Sequence, residues 1–243
     1  MSAREWWAAT YLSGAAEPGR ERGEAMPAQE WPVPEGAEVI GLPEPGVAAP
    51  GMVDFLGLVN GRRTVRTYRA EALRLGELSY LLWCTQGVQK MEAGGKTLRT
   101  VPSAGARHAF ETLVLVNAVE GLEAGLYRYV ASKQGLVRME MSAERVEELT
   151  DSFRNVQLVT QSAVVFLWVA VMKRMTWRFG ARGWRYILLD AGHVCQNLYL
   201  ASESIGCGAC AIGSFDDEGV NCALGLDGEE EFFVYGASVG RKV

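Results

Sequence analysis

Seven of the eight prolines in this 243-residue chain fall between residues 13 and 52, at Pro18, Pro27, Pro32, Pro34, Pro43, Pro45 and Pro50. Proline fixes φ and has no N–H to give a helix or a sheet ladder. A stretch so spaced, and otherwise rich in Gly, Ala and Glu, is excluded from long regular structure and reads as an extended arm. Trp31, Val33, Val39, Ile40 and Leu42 are available to anchor it to a surface. Beyond it only Pro102 interrupts the chain, so that proline has a local reason. The organisation expected is an arm over residues 1–51 and one folded body over 52–243.

Within the body, helical and strand periodicities alternate. Leu75, Leu78, Leu81, Leu82, Thr85 and Val88 form a helical stripe over Leu73 to Val88. Glu111 to Asn117 and Gly125 to Val130 read as strands, and Ser142 as the cap of a helix through Leu149. The apolar, β-branched run Ala163 to Met172 predicts a buried strand. Trp184 to Ser204 predicts a long helix, Cys207 to Ile212 a strand, Asp216 to Leu224 a helix and Glu231 to Val239 a last strand. No internal repeat or second core is visible, so the expected fold class is α+β.

Composition closes several routes. A net charge of -5 argues against a general nucleic-acid binder. No apolar run is long enough to span a membrane, and no signal-peptide h-region opens the chain; the expected location is cytoplasmic. Two histidines, His108 and His193, leave no three-His zinc site. Five cysteines, an odd number in mostly apolar surroundings, do not make a disulfide framework.

Gly206-Cys207-Gly208-Ala209-Cys210-Ala211 has the letters of a dinucleotide-binding turn, but such a turn runs from strand to helix, and here a helix runs into a strand. Cys207 and Cys210 lie three apart on that strand, hence on opposite faces, which suits core packing better than a redox pair or a metal site. Four other segments carry chemistry. Arg62-Arg63-Thr64-Val65-Arg66 gathers three guanidinium groups and a hydroxyl; either it is a solvated basic turn or it cradles an anion, since the guanidinium fork matches two phosphate oxygens. Pro102-Ser103-Ala104-Gly105, followed by Arg107 and His108, offers small residues that let backbone approach a flat ligand. Ile212-Gly213-Ser214 leaves a strand and enters a helix, where backbone N–H groups point outward. Arg241 and Lys242 add two terminal cations.

Taken together and in this order, these segments resemble the FMN-dependent nitroreductase superfamily, and within it the SagB/ThcOx-type dehydrogenases. The resemblance runs over roughly residues 52 to 242. It includes R-R-T-V-R-T-Y at 62–68, R-T-V-P-S-A-G-A-R-H at 99–108, A-G-H-V-C-Q-N-L at 191–198, I-G-S-F-D-D at 212–217 and a terminal V-G-R.

The resemblance implies a mainly antiparallel sheet flanked by helices, in an intertwined homodimer with flavins at the interface. It places the FMN phosphate on Arg62, Arg63, Thr64 and Arg66, closed by Arg241 and Lys242. Pro102, Ser103, Ala104 and Gly105 pack on the flavin from the neighbouring subunit, and Ile212, Gly213 and Ser214 touch the ring. The implied activity is ping-pong hydride transfer, with NAD(P)H as donor or with the small-molecule or peptide substrate itself oxidised. The second substrate's pocket is expected in variable loops near 89–98 and 172–185. Azoline-oxidising members carry Lys-Tyr where this chain has Arg185-Tyr186, leaving Tyr186 as the candidate proton donor. The alternative is a flavin-binding subunit that docks on a peptide-modifying complex without turnover, the arm with Trp6, Trp7 and Trp31 making the contact.

Overall fold

Alternating burial along two neighbouring strands sets the architecture. On one strand Val164, Phe166, Trp168 and Ala170 point into one apolar cluster, and Val165, Leu167 and Val169 into another. On its neighbour Phe110, Val114 and Val116 join the first cluster, and Leu113 and Leu115 the second. A strand sends successive side chains to opposite faces, so an unbroken apolar run requires cover on both. The computed structural model, which describes residues 2–11 and 17–243, supplies that cover with helices on each side of one sheet.

In chain order the helices are α1 (Ala3–Ala9), α2 (Phe55–Gly61), α3 (Leu75–Gln86), α4 (Ala143–Asp151), α5 (Val156–Thr160), α6 (Met172–Phe179), α7 (Gly183–Ser204) and α8 (Asp217–Leu224). The strands are β1 (Ile40–Gly41), β2 (Val88–Met91), β3 (Thr97–Arg99), β4 (Phe110–Val116), β5 (Gly125–Val130), β6 (Gly135–Arg138), β7 (Val164–Val171), β8 (Cys207–Ile212) and β9 (Glu231–Arg241). Seven strands form an antiparallel sheet in the order β1-β6-β5-β4-β7-β9-β8, and β2 and β3 make a separate hairpin. Leu78, Leu81 and Leu82 of α3 and Val194 and Leu198 of α7 cover one face. Leu149 of α4, Leu158 of α5 and Val220 of α8 cover the other. The α+β class and the antiparallel sheet flanked by helices agree with expectation. No helix of the described residues is long and apolar enough to cross a membrane.

Element boundaries agree with the sequence reading within a few residues, including the Ser142 cap, whose Oγ accepts from Arg145 N. Several stretches depart from it: α1 is a helix inside the expected extended arm, and α2, α5 and β6 are elements that the periodicity does not announce. Residues 89–98, expected as a loop, lie largely in the β2–β3 hairpin, and 172–185 contains α6 and the start of α7. The α6 signal is obscured because one of its buried positions is a cation, Arg174, beside Met172 and Met175.

The arm is stitched to the body by buried arginines. Arg174 Nε donates to Ala28 O at 2.8 Å, Arg99 Nη2 to Gln29 O at 2.8 Å, and Arg128 to the carbonyls of Trp31 and Pro32 at 2.8 and 3.0 Å. Gln29, only 3% exposed, accepts from Thr97 N and donates to Ala106 O. Ile40 of the arm pairs with Leu136 as the short edge strand β1. The part of the arm at 12–16 lies outside the described residues.

One carboxylate anchors this set. Glu111, 2% exposed on β4, pairs with Arg174 at 2.5 Å and Arg128 at 3.6 Å and accepts from Trp31 N at 2.7 Å. Removing one member of a buried ion network strands the others, at a cost of about 3–5 kcal/mol. Glu111→Gln is expected to lose that much stability in urea titration. A loss below about 1 kcal/mol would show that the arm docks without it.

Candidate functional site

The basic segment is held along the free edge of the sheet. Thr64 bridges Ala209 of β8 in parallel register, with Val65 N donating to Ala209 O at 3.0 Å. Further on, Tyr68 bridges Lys242, and Arg69 N donates to Arg241 O at 3.0 Å. Two glycines let the segment come this close. A Cβ on Gly208 would stand 2.5 Å from the Val65 side chain, and one on Gly240 would stand 2.8 Å from the Tyr68 ring. The glycines that imitate a dinucleotide turn thus include the seat for Val65.

Arg62, Arg63 and Arg66 contrast with the terminal cations. Among the described residues no carboxylate lies within ion-pair distance of those three. Arg62 stacks 5.2 Å over the Tyr199 ring, and Arg63 donates to the carbonyls of Asn60 and Arg62. Arg241 instead pairs with Glu77 at 2.7 Å and Glu71 at 3.3 Å, and Lys242 with Glu203 at 2.5 Å. Burial opposes the charge on Glu77, but hydrogen bonds from Arg74 and Arg241 outweigh it and hold its carboxyl below the usual range.

Tyr199 of α7 joins the segment to the end of β8. Its hydroxyl lies 3.3 Å from Thr64 Oγ1 and accepts from Ala211 N at 2.9 Å. Ile212 ends that strand, and Gly213 and Ser214 follow, with Ser214 O accepting from Arg154 N. The structure therefore brings Thr64 and Ile212–Ser214 to one side of α7.

The Pro102–Gly105 loop is elsewhere. Ala104 N donates to Asp190 Oδ1 at 3.2 Å, and His108 N to Ser103 Oγ at 2.9 Å. Gly105, Ala106 and His108 all have left-handed φ, at 59°, 51° and 45°; for the two non-glycine residues this costs about 1–3 kcal/mol each. Asp190 is buried, and its Oδ2 has no partner. Desolvation raises its pKa. His108 is pushed down to about 3, by burial first and then by Arg99 and Arg107, so it is neutral near pH 7. Asp190 and Tyr199 are nine residues apart on α7, about 13 Å along the axis and half a turn round it. In one chain the loop and the basic segment occupy opposite sides of this helix.

Tyr186 lies beside the loop rather than beside the basic segment. Its ring meets Phe179 edge-on with centroids 4.7 Å apart, and its hydroxyl accepts from Arg182 Nε at 2.9 Å. Arg185 is covered by α1: its guanidinium lies 3.6 Å over the Trp7 ring and donates to Thr10 Oγ1 at 2.6 Å. The sequence reading missed Asp190 and Tyr199 as positioning residues. Asp190 had a signal, being the only acidic residue between Asp151 and Glu203; Tyr199 had none.

Cys207 and Cys210 face opposite apolar clusters as free thiols. Burial pushes Cys207 up to about 11. Among the described residues no group of His, Cys, Asp and Glu could hold a metal ion.

The model of the nitroreductase family matches residues 59–241. The chain belongs to the nitroreductase family. A nitroreductase-type protein of Methanocaldococcus jannaschii is 36% identical over 182 residues, 75% of this chain and 88% of that protein. The trifolitoxin-processing protein TfxB of Rhizobium leguminosarum bv. trifolii is 27% identical over 62% of this chain, which spans 41% of its length. A nitroreductase-type protein of Desulfovibrio desulfuricans, solved in complex with FMN, superposes with a TM-score of 0.57 at 17% identity over 79% of this chain and 88% of its own. At that identity the likeness is one of fold.

The seat of Val65 gives a direct check on how the basic segment is held. Gly208→Ala is expected to lose about 1–3 kcal/mol by overpacking, read in urea titration. An unchanged midpoint would mean that the segment is not pressed against β8.

Proposed function

We propose that this nitroreductase-family chain is an FMN-dependent oxidoreductase of the SagB type. The observation that carries the reading is the set of three guanidinium groups, Arg62, Arg63 and Arg66, without a carboxylate partner on a backbone pinned to the sheet edge. A phosphate monoester carries close to two negative charges at pH 7, and these donors with the Thr64 hydroxyl match its oxygens. Arg241 and Lys242, already neutralised, would close the site as orienting groups rather than as free charge. Ile212, Gly213 and Ser214 would line the ring, with Gly213 leaving its backbone open to close approach. When bound there, FMN would supply two-electron hydride chemistry in ping-pong order, with these residues holding its phosphate and ring.

Pro102, Ser103, Ala104 and Gly105 would reach the same ring only from a second copy, because their own chain holds them on the far side of α7. An exposed apolar stripe on α7, with Trp184 39%, Leu188 55% and Leu189 55% exposed, supports a homodimer. Tyr186 would face the substrate next to that loop. Accepting from Arg182 Nε leaves its own proton free to donate. The likeness to a toxin-processing protein favours a peptide or peptide-like substrate oxidised by the site, over NAD(P)H-fed reduction of a small molecule. The non-catalytic docking subunit remains the alternative.

The purified protein is expected to be yellow. Colourless protein that does not take up added FMN sinks the proposal. Anaerobic NADH or NADPH bleaches a reductase within seconds, whereas a dehydrogenase keeps its colour until its own substrate is added. Each charged hydrogen bond contributes about 1.5–3 kcal/mol, so Arg62→Ala with Arg66→Ala should weaken FMN binding about a hundredfold or more. Full retention of flavin would place the phosphate elsewhere. Light scattering should show a dimer in the parent and a colourless monomer in Leu188→Asp with Leu189→Asp. A yellow monomer would remove the neighbouring subunit's loop from the site.

A further inference from the structure

Residues 172–185 carry five cations, Lys173, Arg174, Arg178, Arg182 and Arg185, and no acid. Only Arg174 has a carboxylate partner among the described residues. Arg178 and Arg182 stand beside the Pro102–Gly105 loop and Tyr186, and Arg182 shares Thr10, at the end of α1, with Arg185. Arg178 packs on Gly105, close enough that a Cβ there would stand 2.7 Å from its Nε, and lies 5.5 Å over the Phe179 ring. Arg182 lies 5.4 Å over the Tyr186 ring, which touches that of Phe179. Arg107, 1% exposed, is a neighbour of Arg178 whose Nη2 has no partner, and Arg185 Nε is likewise buried and unpaired.

What these cations touch now is neutral. Arg182 Nη1 donates to Thr10 O at 3.3 Å, and Arg185 to Thr10 Oγ1 and Trp7 O. These acceptors sit at the C-terminal end of α1, where a helix presents partial negative charge. The remaining contacts are with aromatic faces, which attract cations weakly. A carboxylate or phosphate would serve the same donors with hydrogen bonds about twice as strong.

We propose that Arg178, Arg182 and Arg185 form the anion-receiving wall of the substrate pocket beside Tyr186, so that the second substrate carries a carboxylate or phosphate, and that the end of α1 competes for this wall. The proposal rests on the site reading above and narrows it to a substrate class. An acidic substrate and the pyrophosphate of a nicotinamide dinucleotide share the required chemistry.

The test is calorimetric titration of the full-length protein with two ligands of one shape, 4-nitrobenzoate and the uncharged 4-nitrobenzamide. The acid is expected to bind about tenfold more tightly, as one extra charge-assisted contact allows. Arg178→Gln and Arg182→Gln should each erase that preference. Trp7→Ala should tighten binding of the acid about threefold, by releasing the competitor on Arg185. If inorganic pyrophosphate displaces the acid and Arg182→Gln also weakens NADPH binding, the anion is a dinucleotide phosphate; if neither happens, it is a carboxylate of the substrate. Equal affinities, no binding of either ligand, or a preference that survives both substitutions overturns the proposal. Absence of flavin colour would defeat the flavin reading alone, because the calorimeter reads the arginine wall without it.

Discussion

A guanidinium taken out of water must find acceptors, and among the described residues four are buried: Arg99, Arg107, Arg128 and Arg174. Burying so much positive charge around one carboxylate, Glu111, is tolerable only where oxygen atoms complete the shell. The arm provides them. Carbonyls of Ala28, Gln29, Trp31 and Pro32 point at Arg174, Arg99 and Arg128. Proline's lack of an N–H suits the role: the carbonyl oxygens around Pro32 face arginines, and no sheet neighbour requires a donor from it. The arm therefore completes the core electrostatically, and the body without it would bury cations it cannot satisfy.

The same accounting separates the cations at the candidate sites. Arg241 and Lys242 reach the basic segment but are already neutralised by Glu77 and Glu203. Arg62, Arg63 and Arg66 are not. Nor are Arg178, Arg182 and Arg185, which rest against rings and carbonyls. Two groups of unmet positive charge, one on the sheet edge and one beside Tyr186, thus lie at opposite sides of α7.

Much of the fold was legible because burial imposes periods. The run from Val164 to Val171 has to be a strand covered on both faces, and the rejection of Gly206-Cys207-Gly208 as a dinucleotide turn needed only the order of elements. The basic run and the Pro102–Gly105 loop stood out for their chemistry. What stayed hidden depends on pairs distant in sequence. Nothing near Arg174 announces a buried partner 63 residues away at Glu111, and the stretch 172–185 was expected as a variable loop. Nothing in the sequence marks Tyr199, whose hydroxyl lies between Thr64 and Ala211. The pairing of Lys242 with Glu203, 39 positions back, is equally invisible in the terminal run.

The geometry of α7 sets what one chain can do with the proposed site. A straight helix cannot present residues half a turn apart to one ligand, and Asp190 and Tyr199 are fixed in that relation by their spacing. Asp190 holds the Pro102–Gly105 loop through Ala104 N, and Tyr199 meets the basic segment at Thr64. No rotamer change joins the two within one protomer. A second copy packed on the exposed stripe of Trp184, Leu188 and Leu189 would bring its own loop towards the first copy's sheet edge. Gly192, on the same stripe with nothing within 4 Å of where its Cβ would be, leaves room for the backbones to close. If the proposed dimer forms there, the apolar face of α7 and the division of the site would have one cause: one helix would serve as both the core of the protomer and the seam between two.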